Sequence, residues 1–155
     1  MDTPRPRGLY FEEFEQGQVV TSPGRTITEA DVVAFAGLSG DYNQLHTDDE
    51  FARETPYGRR IAHGLLGLSA ASGLAARAGF IEGTTQAFVG LTCKFKAPVF
   101  IGDTIHLRAT VSKLRPMPSM GGGMVVFAME VLNQRGEVVQ EGDWTLLMRG
   151  RPEGA

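Results

Sequence analysis

An aspartate and a histidine five positions apart, Asp41 and His46, stand in the polar run Gly40-Asp41-Tyr42-Asn43-Gln44-Leu45-His46. A loop of this spacing can aim an acid and an imidazole into one cavity, where the two groups hold a water and move its protons as general acid and base. A plainer reading of the run is a turn in which Asp41 and Asn43 hydrogen-bond the local backbone and His46 flanks the next helix. A calcium loop is excluded. Asp41 and Asn43 fill its first and third positions, but the sixth is His46, where the sharp turn needs glycine, and the twelfth is Ala52, where a bidentate glutamate is needed. A zinc site from His46, His63 and a carboxylate has neither an HExxH pair nor cysteine spacing behind it, and no metal is expected.

A second cluster, Gly58-Arg59-Arg60-Ile61-Ala62-His63-Gly64, runs directly into an apolar helix. Having no side chain, Gly64 lets a ligand reach the free N–H groups of the first helical turn, where the positive end of the dipole also points, so an oxyanion fits there. Alternatively, Gly64 only permits close helix packing and His63 is a hydrogen-bonded core residue. Spacing leaves both readings open.

The elements that must carry these clusters fall into two halves, helical signals first and strand signals second, the order of an α+β protein. Thr28-Glu29-Ala30-Asp31 resembles a capping box; Val32, Val33, Phe35 and Ala36 then form an apolar face, and Gly37 and Gly40 end the helix. A shorter helical turn starts at Thr47, favoured by Asp48, Asp49 and Glu50, and is stopped by Pro56 and Gly58. From Gly64 to Ala78 almost no polar face remains, which predicts a helix buried all round, with side chains thin enough for a curved sheet to grip it. Strands follow. Ala87, Val89, Leu91, Cys93 and Phe95 alternate with a mixed set, and Ile105, Leu107, Ala109 and Val111 alternate with polar residues. Met124 to Leu132 and Glu137 to Met148 are two more β-rich runs around the turn Asn133-Gln134-Arg135-Gly136, and an earlier strand lies near Gln18 to Ser22. Such strands and one apolar helix satisfy each other if an antiparallel sheet wraps the helix.

Composition narrows the function classes. The chain has 155 residues, 42% hydrophobic and 21% charged, the balance of a folded protein, and one domain spanning 1–155 with an ordered core at about 10–148 is expected. Fifteen Lys and Arg against 18 Asp and Glu give a net charge of −3, no footprint for a nucleic-acid backbone. The lone Cys93 cannot form an internal disulfide. No apolar run is long enough for a membrane span, and Met1 to Gly8 lacks a signal-peptide core, so a soluble cytoplasmic protein is expected. Gly121 to Gly123 lacks the following Lys-Ser/Thr of a phosphate loop. His106 on a polar strand face and Cys93 on an apolar one read as structural.

Taken together, the Asp-x-Asn-x-x-His loop from Asp41 to His46 and Ile61-Ala62-His63-Gly64 opening an apolar helix resemble the hydratase motif of MaoC-like dehydratases and (R)-specific enoyl-CoA hydratases. The similarity runs from about Tyr10 to Met148 and includes Phe95-Lys96-Ala97-Pro98-Val99 before the Gly102-Asp103 turn. One position departs, since that family commonly has proline where this chain has Gln44.

The resemblance implies a hotdog fold, an antiparallel sheet around one long helix, and reversible hydration of trans-2-enoyl-CoA thioesters to (R)-3-hydroxyacyl-CoA. Such a reaction needs a base for the water proton, an acid for C2 and donors for the enolate oxygen. On this resemblance Asp41 and His46 form the catalytic pair, Asn43 helps hold the loop, and the Gly64 N–H meets the thioester oxygen, with His63 and Ser72 placed around the substrate. No cofactor is implied beyond the CoA of the substrate. Arg59, Arg60, Lys94 and Lys96 are the basic candidates for its phosphates. The resemblance also implies a homodimer or dimer of dimers, and an otherwise unpaired sheet edge gives a physical reason for it. Two other readings of the same fold are a thioesterase and a noncatalytic acyl-CoA-binding subunit; the Asp41 and His46 pair argues against both.

Overall fold

Period-two burial in the second half of the chain sets the architecture. The computed structural model describes residues 4–153, and the first three and last two residues of the expected 1–155 domain lie outside them. Five strands run in the order β1 (Val19–Thr21), β5 (Thr104–Met117), β6 (Gly122–Leu132), β7 (Val138–Arg149) and β3 (Thr85–Leu91). Two short strands extend the edges, β2 (Arg25–Thr26) on β5 and β4 (Lys94–Phe95) on β7, and every pairing is antiparallel.

One face of this sheet is apolar because the alternation holds in register. Ile105, Leu107, Ala109 and Val111 of β5 are buried, as are Val125, Phe127, Met129 and Val131 of β6 and Trp144, Leu146 and Met148 of β7. Against that face lies α4 (Gly64–Ala78), which buries Leu66, Ala70, Ala71, Leu74 and Ala75. Its alanines and glycines keep the helix thin, so the sheet curves closely around it, and each large side chain so buried contributes about 1.5–3 kcal/mol. The β6–β7 hairpin closes as expected at Asn133–Gly136: Asn133 Oδ1 accepts the N–H groups of Arg135 and Glu137, and Gly136 takes the left-handed φ of 76°.

The first half forms α1 (Glu29–Ser39), α2 (Gln44–Thr47) and α3 (Asp49–Arg53). Thr28 caps α1 with the expected box, its hydroxyl accepting the Asp31 N–H while the Asp31 carboxylate accepts the Thr28 N–H. Among the described residues no helix is long and apolar enough to cross a membrane.

Five expectations are corrected. Gly37 lies inside α1, which ends at Gly40 in a left-handed cap, and Val33 faces solvent because the core side of that helix carries Val32, Phe35 and Ala36. His46 sits on the unexpected helical turn α2, since Asn43 caps it and Asp48 caps α3 immediately afterwards. The α4 helix is not covered on every side: Leu65, Ser69, Ser72 and Ala76, spaced by helical turns, are exposed in the single chain. Finally, β3 buries neither face, because it is the sheet edge and two register shifts against β7 break its alternation.

Candidate active site

The Asp41–His46 segment is fixed by its own side chains. Ser39 Oγ accepts the Asp41 N–H, Asp41 Oδ1 accepts the Asn43 N–H, and Asn43 Oδ1 accepts the Leu45 N–H. Thr47 Oγ1 donates to the carbonyls of Tyr42 and Asn43. Local backbone bonding by Asp41 and Asn43 is therefore real, and it places the functional groups. Asn43 is spent as a helix cap. Gln44 occupies the first helical position of α2, a place where proline is readily accepted, so the departure from the family's proline leaves the turn intact.

His46 is nine-tenths buried, and its Nδ1 lies 2.7 Å from the Ile61 carbonyl. A carbonyl only accepts, so Nδ1 carries the hydrogen, and in the neutral ring the lone pair is on Nε2. His63 is oriented the opposite way round: its Nε2 donates to the Asp41 carbonyl at 2.9 Å, and its buried Nδ1 has no partner among the described residues. The two imidazoles stack at 3.9 Å between centroids, and Phe35 lies 4.9 Å from the His63 ring. His63, the cap residue of α4, thus ties the Asp41 backbone to the helix that carries Gly64. Arg60 braces the segment from outside by pairing with Glu29 of α1 and Asp49 of α3 and reaching the His46 carbonyl.

A ligating atom from each of Asp41, His46 and His63 lies within 4.8 Å of the others. One water making two hydrogen bonds of about 2.8 Å spans such a gap. The pair opens beside a cavity of about 500 Å³ lined by His46, Tyr57, His63, Gly64, Phe95 and Gln140 among others. Asp41 does not line that cavity and is exposed in the single chain.

Gly64 begins α4, whose first-turn N–H groups point out of the helix. A Cβ at this position would stand 2.7 Å from Phe95 Cε1, so glycine is what lets the half-exposed Phe95 ring pack onto the start of the helix. The packing reading of Gly64 is thus the one the structure displays.

Ser72 is placed elsewhere. Its hydroxyl donates to the Ser69 carbonyl at 2.6 Å, and it lines a separate groove with Leu68, Ser69, Phe88, Leu91 and Trp144. Of the basic candidates, Arg60 is consumed by its two ion pairs, Lys96 pairs with Glu141, and Arg59 lies over the Phe100 ring at 4.0 Å. Sequence reasoning missed Gln140, which is buried in β7 and donates from Nε2 to the Gly64 carbonyl at 2.9 Å. Its signal was a glutamine in phase with the inward Trp144, Leu146 and Met148.

The sequence profile described as MaoC like domain matches residues 11–128. An (R)-specific enoyl-CoA hydratase of Rhodospirillum rubrum is 36% identical over 142 residues, covering 92% of this chain and 93% of that protein. A 3-hydroxybutyryl-CoA dehydratase of Methylorubrum extorquens is 37% identical over 113 residues, 73% of this chain and 70% of its own. The solved (R)-hydratase from A. caviae matches with a TM-score of 0.74 at 30% identity, covering 88% of this chain and 98% of that one. The architecture is the hotdog fold.

Proposed function

The chain belongs to the MaoC-like dehydratase family, and from that premise we propose that it interconverts trans-2-enoyl-CoA and (R)-3-hydroxyacyl-CoA by adding or removing water at Asp41 and His46. The observation that carries the reading is the approach of the Asp41 carboxylate and the His46 imidazole to within 4.8 Å, with His46 Nδ1 tied to a backbone carbonyl.

In the hydration direction the thioester oxygen lies at the Gly64 N–H, which stabilises the negative charge that grows there, aided by the positive end of α4. The bridging water gives a proton to the lone pair of His46 Nε2 while its oxygen bonds to C3. Electrons of the C2–C3 double bond move onto the thioester oxygen. C2 then takes a proton from the Asp41–His46 unit, the enolate collapses, and proton transfer within the unit restores its starting state. Dehydration runs the same steps in reverse. The scheme uses the protein's own groups and the substrate alone.

A partner subunit is part of the proposal. Leu65, Phe88, Val89, Leu91 and Phe95 are exposed together with the open edge of β3 and the bare stripe of α4. Pairing of two copies through this surface, as a homodimer or dimer of dimers, covers the apolar residues and removes the free edge.

The test is incubation with short, medium and methyl-branched enoyl-CoAs, following the conjugated-thioester absorbance and the chirality of the product. Wild type is expected to yield the (R)-alcohol. Asp41→Asn and His46→Ala are expected to lose on the order of 10²–10⁴-fold in kcat. Thiol release without hydration, near-native turnover by either folded variant, or silence across the whole panel would overturn the reading.

A further inference from the structure

We propose that Gln140 is a positioning residue for the proposed reaction: its side-chain amide holds the Gly64 carbonyl and with it the first turn of α4, and so steadies, across the Gly64 Cα, the adjoining peptide whose N–H receives the thioester oxygen. The inference rests on the enoyl-CoA reading above. Glycine is the least conformationally restrained residue, so a glycine whose N–H must point one way needs outside restraint. Two side chains supply it here. Phe95 and Gln140 face each other directly across β4 and β7. The Phe95 ring closes over the Gly64 Cα, where a Cβ would stand only 2.7 Å from Cε1, and the Gln140 Nε2 donates to the Gly64 carbonyl at 2.9 Å.

Three further features show a position built for this contact. Gly67, one turn along, makes room, since a Cβ there would approach the Gln140 Nε2 to 2.5 Å. The β6–β7 register shifts between Val131 opposite Gln140 and Leu132 opposite Val138, leaving Val139 as an extra residue at the base of the amide's strand. Such bulges re-aim a side chain next to a site. Finally, Gln140 Oε1 is buried with no partner among the described residues. An orphaned buried acceptor destabilises a fold, and an apolar side chain of similar size would pack there without that cost. A residue retained for stability alone would not look like this.

The amide's orientation is fixed by its partner, because only the NH2 end can donate to a carbonyl. A carboxylic acid can make the same donation when protonated and repels the carbonyl when ionised. Gln140→Leu and Gln140→Glu therefore give different expectations. For the leucine variant kcat on crotonyl-CoA is expected to fall by about 10–10²-fold, the loss that a small misplacement of a reacting group produces, with KM within about twofold and thermal stability equal to or above wild type. For the glutamate variant the ratio of its kcat to wild type at the same pH is expected to fall as pH rises and the new carboxyl ionises.

Wild-type kcat in Gln140→Leu, or a parallel loss of stability and activity in both variants with a flat pH ratio, would overturn the inference. Amide hydrogen exchange in the first turn of α4, read in the unliganded proteins, separates this failure from failure of the functional reading. Faster exchange in Gln140→Leu supports the restraint whether or not any enoyl-CoA is turned over, and unchanged exchange overturns it.

Discussion

His46 turns Nε2 away from the backbone because its other nitrogen is spent on the Ile61 carbonyl, which suits the base role proposed for it, and His63, stacked upon it, spends its own N–H on the carbonyl of Asp41. Each imidazole thus has its tautomer fixed by a backbone group of the segment it serves. Gly64 is constrained from two directions, by the oxyanion role proposed for its N–H and by the Phe95 ring. Gly64→Ala is accordingly expected to cost about 1–3 kcal/mol through overpacking and to lower kcat as the helix start shifts. Combining it with Phe95→Leu should recover much of the stability but little of the activity, measured by denaturant melts beside enoyl-CoA turnover. Recovery of both together would show that the glycine is only a packing residue. The pairing of Asp41 with His46 was legible in the sequence because their spacing is local. Gln140 was not, because ninety-four residues separate it from His46 in the chain and only the sheet brings them to one cavity.

At the scale of elements, α1 is the platform from which the Asp41 turn departs, and its capping box decides where it begins. The Thr28 N–H, and after it the Arg25 guanidinium, hold the Asp31 carboxyl below the ordinary aspartate range. Asp31→Ala is expected to lose about 0.3–1 kcal/mol, the contribution of an acidic side chain in the first turn of a helix. Because the folded-state value is lowered, this contribution is present above the unfolded aspartate pKa of about 3.9 and disappears as pH falls through the lower folded value. Chemical denaturation at neutral pH and again well below pH 4 should show the wild-type advantage shrinking; an advantage that grew with acidity would contradict the box. The Thr28 signal was readable because a cap involves residues three apart. The turn α2 was overlooked since four residues carry too little periodicity to announce a helix.

In the whole molecule, the sheet covers only one side of α4, and the side bearing Leu65, Ser69 and Ser72 remains open beside β3. Val89→Arg, on that edge and outside both the cavity at His46 and the Ser72 groove, is expected to shift the proposed dimer to monomer in light scattering after size exclusion. If the Ser72 groove completes the acyl site only in the assembly, activity falls with dissociation; a fully active monomer would confine the site to one chain. The expectation of a helix buried all round came from its composition, which does not report that the stripe of Leu65, Ser69, Ser72 and Ala76 lies outside the cover of the sheet.

What the sequence determined by itself was whatever depends on neighbours along the chain: the alternation of β5, β6 and β7, the Asn133–Gly136 turn, the Thr28 cap, the length of α4 and the nearness of Asp41 to His46. Burial acts on periodic patterns, so those patterns report which face turns inward. Tertiary structure alone decided the tautomers of His46 and His63, the diversion of Arg60 into bracing, the separation of Ser72 from Asp41 and His46, and the arrival of Gln140 at Gly64. Each of these is a directional contact between distant segments, set by sheet register and ring orientation, and no spacing within the chain encodes it.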